Sequence, residues 1–362
     1  MKKIFAIAVI LALFVFGLTV GASAEEPTTT GIIDLAAENA PTSGTGWTWT
    51  ENGTTGTLTL NGLNMSATPD VFMTGRPLIR FPETIKEINL VITGNNTINK
   101  LGTYQCNVFY AEGKKITISG TGTLTFNPED TSSTLVNCDS LVMEGGTISM
   151  ADNCQAGHLF HTQNDLTING GNMTFKSTYG IQSEKGPVSI SGGDIKLTMV
   201  NAGFGIWSGP SGAVDISTLA NPGIVISGGT IHTNGSIKAS HMRGLSITGG
   251  TITAEKEVGG DLFYADSTVR LPENFSTGQL STINAPLLKI PEGKTLEIPG
   301  STHIFTNNLA NAGTLNNHGR VTIRSGYDGS GAITGGGLID FKPGRWNDVV
   351  SHAENIIFNR CL

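Results

Sequence analysis

A four-residue phrase that recurs along the chain carries the side chains best suited to binding a ligand. Its second position holds aromatic residues at Tyr110, His161, Trp207 and Tyr264, and its fourth position holds acids at Glu112, Asp139, Glu184 and Asp266. Aromatic rings cover the C–H surfaces of sugars, and carboxylates beside them bond hydroxyl groups or hold a cation. These side chains are therefore the candidate binding residues for a polysaccharide or glycan. The alternative interpretation is an ordinary solvated turn, because scattered exposed aromatic residues are common.

The same phrase predicts which of its residues point inward. It occupies residues 109–112, 136–139, 160–163, 181–184, 206–209, 237–240 and 263–266, and residues 79–82 fit it as well. Positions one and three are apolar or small and are expected to face a core, whereas positions two and four are expected to face solvent. Cys138 holds position three, so it is expected to be a buried thiol. Residues inserted between Ser208 and Pro222 predict a loop beside Trp207, and inserted loops on a rigid scaffold commonly form one side of a binding site.

The sequence contains no complete catalytic constellation of a pectin-degrading enzyme. Polygalacturonases place carboxylates in Asn-x-Asp and Asp-Asp phrases with Gly-His-Gly and Arg-x-Lys, and the last three of these phrases do not occur in the sequence. Arg243 and Arg270 lack the calcium-binding Asp cluster that a pectate lyase needs, and no Ser/His/Asp or zinc-ligand spacing includes His158, His161 or His232. We therefore expect no catalytic residue, and a pectin-type lyase or hydrolase is the less favoured alternative.

The elements that must position these residues form an internal repeat. Alternating strands followed by a Gly pair read LVMEGGTISM, LTINGGNMTF, VSISGGDIKL, IVISGGTIHT and LSITGGTITA, and the first Gly falls at 145, 170, 192, 228 and 249. A period in the low twenties predicts one turn of a right-handed parallel β-helix, an all-β solenoid. The Gly pair is expected to turn the chain between two faces, because Gly tolerates positive φ.

The pattern changes toward the C-terminus. We expect the main β-helix to occupy residues 25–285, and a narrower, irregular extension to occupy 286–346, where apolar positions recur every six residues at Leu309, Leu315 and Val321. Residues 347–362 switch to a helical pattern, with Asn347 as the N-cap. They are expected to form a short capping helix over the open end, or the ragged end of the chain.

The N-terminus and the composition indicate the compartment and exclude one class of partner. Residues 1–24 read as a signal peptide, with Lys2 and Lys3, an apolar run, and small residues before Glu25. We therefore expect a secreted or cell-surface protein with no membrane span after cleavage. The net charge of −7 becomes −9 without the two lysines (20 basic against 29 acidic residues), which argues against nucleic acid. The four cysteines are too few for a disulfide scaffold.

Residues 46–67, with NLVITGNNTIN and KKITISGTGTLTF after them, resemble the carbohydrate-binding β-helix domains of secreted proteins from Gram-positive bacteria. The segment EGKTLEIPG is similar to Gly-Lys-Thr-Leu-x-Ile-Pro segments of bacterial surface proteins. The resemblance implies binding of plant or bacterial polysaccharide, sometimes with calcium, although no metal ligand can be assigned. Two functions stay open at this point: a non-catalytic polysaccharide-binding protein, and a structural or adhesive stalk.

Overall fold

The structure is a computed structural model. It describes residues 28–200, 203–210, 222–239, 244–247, 249–254, 257–259, 262–265, 269–270, 281–290, 292–293, 295–298, 300 and 302–341. The side chains of 257, 259, 262–265, 269–270, 281–286 and 302 are outside the description. The expected signal peptide, most of the loop after Trp207 and the expected capping helix therefore lie outside the described residues.

The strands of the first half are β1 Thr29–Thr30, β2 Ile33–Asp34, β3 Ser43–Gly44, β4 Trp47–Asn52, β5 Thr55–Asn61, β6 Asn64–Ala67, β7 Pro77–Arg80, β8 Glu87–Thr93, β9 Asn95–Lys100, β10 Asn107–Gly120, β11 Thr123–Pro128, β12 Thr134–Met143, β13 Thr147–Met150, β14 Ala156–Thr162, β15 Leu166–Ile168, β16 Asn172–Ser183 and β17 Val188–Ile190. Those of the second half are β18 Asp194–Met199, β19 Phe204–Ser208, β20 Ile224–Ile226, β21 Thr230–Thr233, β22 Ser236–Ala239, β23 Leu245–Ile247, β24 Thr251–Ala254, β25 Glu257–Gly259, β26 Leu262–Ala265, β27 Val269–Arg270, β28 Ser281–Ile290, β29 Thr295–Ile298, β30 Thr302–Asn311, β31 Thr314–Asn317, β32 Arg320–Asp328, β33 Ala332–Thr334 and β34 Leu338–Phe341.

The protein is all-β in its described part, which contains no helix, as the sequence predicts. Thirty strands join one large sheet that is nearly closed on itself, and β27, β29, β31 and β33 form a second sheet of four. The large sheet is mixed, because β4 pairs antiparallel with β3 and β5. The other pairings between described strands are parallel, for example β12 with β14 and β15.

The predicted repeats align with one another at constant phase. Leu166 lies opposite Val188, Val188 opposite Ile224, and Ile224 opposite Leu245. These side chains are fully buried, and the Thr, Ser or Val that follows each of them is partly exposed. Each repeat therefore completes its backbone hydrogen bonds with its neighbours while its apolar row extends a continuous core.

The two glycines of each Gly pair between strands are required for different physical reasons. The second glycine adopts positive φ, as at Gly171 (+89°) and Gly193 (+91°). The first glycine lies against the preceding repeat, because a Cβ on Gly192 would stand 2.3 Å from the carbonyl oxygen of Asn169. The sequence predicted the turn, and the structure adds the close approach of one backbone to the next.

The C-terminal strands continue the parallel pairing with a shorter step. β28 pairs with β30, β30 with β32, and β32 with β34. Ile304 lies opposite Val321, a step of 17 residues, and both side chains are buried. β28 spans the position expected to separate the main and extension segments at residue 285.

Inward positions of the four-residue phrase are buried wherever its side chains are described. Phe109, Phe160 and Ile206 are fully enclosed at position one, and Ala111 and Thr162 at position three. Cys138 is buried and free, and burial raises the pKa of its thiol above the usual range. The predicted inward column is confirmed for these repeats.

A buried ion pair lies at the end of β9 and was not predicted from the sequence. Lys100 takes the last inward position of that strand, is 0% exposed, and donates to the carboxylate of Asp130 and to the carbonyl of Gly102. The other Asp130 oxygen accepts from the backbone nitrogens of Ser132 and Ser133 at 2.7 Å. Burial opposes ionisation of Asp130, but hydrogen bonds from Lys100 and Ser133 outweigh it and lower its pKa.

We predict that Asp130→Ala will destabilise the protein by about 3–5 kcal/mol, because it leaves the Lys100 ammonium buried without a partner. The double variant Lys100→Met/Asp130→Ala should recover much of that loss, since it removes both charges. Urea unfolding at pH 7 measures both effects. The two charges are not coupled if the double variant loses as much free energy of unfolding as Asp130→Ala and Lys100→Met lose together.

Candidate functional site

The outward positions of the four-residue phrase form a row that runs across successive repeats. Tyr110 lies opposite Asn137, Asn137 opposite His161, His161 opposite Gln182, Gln182 opposite Trp207, and Trp207 opposite Lys238. Arg80 precedes Tyr110 in the same row. We call these residues, from Arg80 to Lys238, the outer row. The predicted alignment of these repeats is correct.

The expected place of Tyr264 in the outer row is wrong. Gly259 lies opposite Lys238, whereas Tyr264 lies opposite Ser246 and Lys289. The strand Leu262–Ala265 therefore continues the column of the Leu-Ser-Ile strand rather than that of the four-residue phrase. The side chain of Tyr264 and all of Asp266 lie outside the described residues.

A second row of outward side chains lies beside the first. His158 lies opposite Tyr179, while Phe204 occupies the equivalent place in β19. Two consecutive inward residues separate the rows, as Leu159 and Phe160 do between His158 and His161. This pair breaks the alternation of the strand. The residues on either side of it, such as His158 and His161, therefore both point outward.

Five rings from the two rows form an aromatic cluster: His158, His161, Tyr179, Phe204 and Trp207. The ring centroids of His158 and Tyr179 are 4.9 Å apart with 19° between their planes, and those of Phe204 and Trp207 are 5.1 Å apart at 29°. Tyr179 also stacks on Phe204 at 6.5 Å, and His158 meets His161 at 5.3 Å. All five side chains are partly exposed, so the cluster reaches the surface.

Polar groups beneath the rings are held by a fixed hydrogen-bond pattern. Gln182 is 1% exposed, although its place in the outer row predicted an outward amide. Its Nε2 donates to Glu184 Oε1 at 3.0 Å and to the Gly209 carbonyl at 3.4 Å, which fixes the orientation of the amide. Its Oε1 then accepts from His158 Nε2 at 3.1 Å, and His161 Nε2 donates to Glu184 Oε1 at 2.9 Å.

Burial keeps His158 neutral. Burial, together with the nearby His161, lowers the pKa of His158 to about 4, although the hydrogen bond to Gln182 opposes both effects. At neutral pH the cluster therefore offers neutral imidazole, phenol and indole groups beside one carboxylate, Glu184. Such a set can exchange hydrogen bonds with hydroxyl groups and cover apolar surface.

The remaining predicted acids have local partners. The Tyr110 hydroxyl donates to Glu112. Asp139 accepts from Asn164 Nδ2 at 2.8 Å and from the Ser140 hydroxyl at 3.1 Å. The structure therefore brings His161 and Trp207 together in the cluster with Glu184 beside them, and it places Tyr110, with Glu112 beside it, near the N-terminal end of the outer row.

Among the described residues, no group of three or more His, Cys, Asp and Glu side chains is arranged to hold a metal ion. Calcium therefore has no assigned ligands. The described residues also include no helix of the length and apolarity needed to cross a membrane.

Comparison of the chain with family models, with curated proteins and with solved structures gives no match. The site is therefore interpreted from its own geometry.

The low pKa of His158 makes stability depend on pH. An unfolded histidine titrates near pH 6.5 and folded His158 near pH 4, so the unfolded chain binds more protons between these values. This contribution is fully present above pH 6.5 and is lost as the pH falls toward 4. We expect about 2 kcal/mol of loss between pH 7 and pH 5 from this residue.

Urea unfolding at pH 7 and pH 5 tests this expectation. Between pH 7 and pH 5, the free energy of unfolding of His158→Gln should fall by about 2 kcal/mol less than that of the parent protein. The control is His232→Gln, which changes a partly exposed histidine on β21. Its stability should depend on pH as that of the parent protein does. Equal pH dependence in the parent and in His158→Gln would show that His158 is not buried in neutral form.

Proposed function

We propose that this protein is a non-catalytic polysaccharide-binding protein of the cell exterior, and that its parallel repeats wind as a right-handed β-helix solenoid. The glycan lies along the outer row and contacts the aromatic cluster. The observation that carries the proposal is this cluster of five partly exposed rings, in which His158 and His161 hydrogen-bond to the pair Gln182 and Glu184. Rings beside fixed polar groups are the usual composition of a sugar site.

The spacing of the row supports an extended ligand. Neighbouring parallel strands lie about 4.8 Å apart, so the four steps from Tyr110 to Trp207 span about 19 Å. One strand spacing resembles the length of a pyranose ring, which allows a chain of sugars to follow the row with one sugar per repeat. The backbone holds these side chains in place before the ligand arrives, so little ordering is needed on binding.

The stacking of the rings determines how a sugar meets them. Tyr179 is stacked on His158 with 4.9 Å between the ring centroids and lies nearly parallel to Phe204 at 6.5 Å, so its neighbours cover part of its ring. Its edge and hydroxyl are then suited to meet a ligand. We therefore expect hydroxyl hydrogen bonds and edge contacts from Tyr179, rather than the flat platform that the sequence alone indicates.

A structural stalk is the second candidate, and the side-chain ladders favour it. Asn127 donates to Asn99 at 3.1 Å and Asn137 to Asn107 at 3.1 Å, which joins successive repeats as the stacked rings do. Such ladders stabilise a long fold whether or not a ligand binds. Retardation by polysaccharide is the property that separates the two candidates.

Affinity electrophoresis against soluble pectin, xylan, β-glucan and mucin tests the proposal. At least one polymer should retard the full chain, and Trp207→Ala or Phe204→Ala should weaken that retardation about 5- to 30-fold, because each loses a ring worth roughly 1–2 kcal/mol. Melting temperatures should fall in both variants, since the two rings stack on each other, so binding is measured well below the transition.

The matched control is His232→Ala, which removes an aromatic side chain from another strand and should leave retardation unchanged. No retardation by any polymer would support the stalk. Retardation that survives both ring variants would move the glycan away from the cluster.

A further inference from the structure

A basic pocket lies at the N-terminal end of the outer row, about two repeats from the aromatic cluster. Its cavity of about 680 Å³ is within the range of small-ligand sites. Its walls include Arg80, Lys86 and Lys114 together with the rings of Phe72 and Tyr110. Glu83 and Glu112 also line it, so its lining carries three cations and two carboxylates in a chain of net charge −7.

Two of the cations have no carboxylate partner among the described residues. Lys114 is 8% exposed, and its Nζ donates to the Ile85 carbonyl at 3.0 Å and to the Glu83 carbonyl at 3.5 Å. Lys86 Nζ donates to the Glu83 carbonyl at 3.3 Å. Arg80, by contrast, is paired with Asp34 at 3.3 Å, and Glu112 accepts from Tyr110.

The Lys86 ammonium disfavours the positive charge of Lys114. Burial lowers the pKa of Lys114, and the Lys86 ammonium lowers it further, while Glu83 opposes both. An ammonium has three donors, and backbone carbonyls accept two from Lys114 and one from Lys86. An anion in the pocket would supply the missing counter-charge and accept the remaining hydrogen bonds.

An exposed aromatic residue stands at the rim of the same pocket. Phe72 is 95% exposed, yet its loop is ordered by hydrogen bonds from Phe72 N to Asp70 Oδ1 at 2.9 Å and from Met73 N to the Asp70 carbonyl at 3.2 Å. A large apolar ring held in solvent by a defined turn is suited to cover the C–H face of a sugar. Cations and an aromatic ring therefore meet in one cavity.

We propose that this pocket binds an anionic sugar, with its carboxylate or sulfate between Lys86 and Lys114 and its C–H face against Phe72. The inference rests on the proposed polysaccharide function and specifies the ligand: an acidic glycan that follows the outer row with one charged unit in the pocket.

The test compares polymers that differ only in charge. Polygalacturonate is paired with its methyl ester, and dextran sulfate with dextran, in affinity electrophoresis of the full chain. At least one anionic polymer should bind more tightly than its neutral partner, by a factor of about ten or more. The pair that shows this difference tells whether the pocket prefers a carboxylate or a sulfate. This comparison needs no variant, so misfolding cannot affect it.

Variants then locate the effect. Lys86→Met/Lys114→Met keeps the aliphatic stems and should abolish the preference for the anionic polymer. The control is Lys115→Met, which removes an exposed charge from the residue next to Lys114 and should keep the preference. Phe72→Ala should weaken binding of both members of the pair.

Failure of this inference is distinguishable from failure of the proposed function. Equal binding of charged and neutral polymers, or a preference that the double lysine variant retains, would overturn the basic pocket while leaving the aromatic cluster as a glycan site. No retardation by any polymer would overturn both.

Discussion

The parallel pairing of successive repeats at constant phase is the constraint on which the other features depend. In the strands of the Gly-pair repeat, inward apolar residues lie opposite inward apolar residues of the next repeat, as Ile168, Ile190, Ile226 and Ile247 do. A slip of one residue would turn that whole row to solvent, so burial fixes the register strongly. Once the register is fixed, the outward side chains also align, although nothing in the core requires them to be of any particular type.

That alignment explains how groups far apart in sequence form one cluster. His158, Tyr179 and Phe204 come from three repeats, yet the backbone sets them about one strand spacing apart. Gln182, between His158 and Glu184, and Lys100, beside Asp130, enter the interior together with hydrogen-bond partners. At both places the buried polar group is hydrogen-bonded, consistent with the cost of an unpaired buried polar group.

Much of this arrangement could be predicted from the sequence, and each feature that was missed has a specific physical reason. The repeated phrase predicted the outer row from Arg80 to Lys238 because alternation has period two. The second row was missed because Leu159 and Phe160 both point inward, which breaks that period. Tyr264 was misplaced because its phrase matches in composition, whereas its register follows Ser246. Burial of Lys100 depends on Asp130, thirty residues later, and no local pattern shows it.

Distances between spin labels test most directly whether the repeats stack in register. Thr57, Asn89, Thr117, Val142, Thr167, Ser189, Val225 and Ser246 form one outward column. Nitroxides at residues 57 and 189 are five steps apart, or about 24 Å, and those at 57 and 246 are seven steps apart, or about 34 Å. Double electron–electron resonance should show the second distance longer by about 10 Å. Equal distances, or a shorter second one, would contradict the stacked register and the binding face built on it.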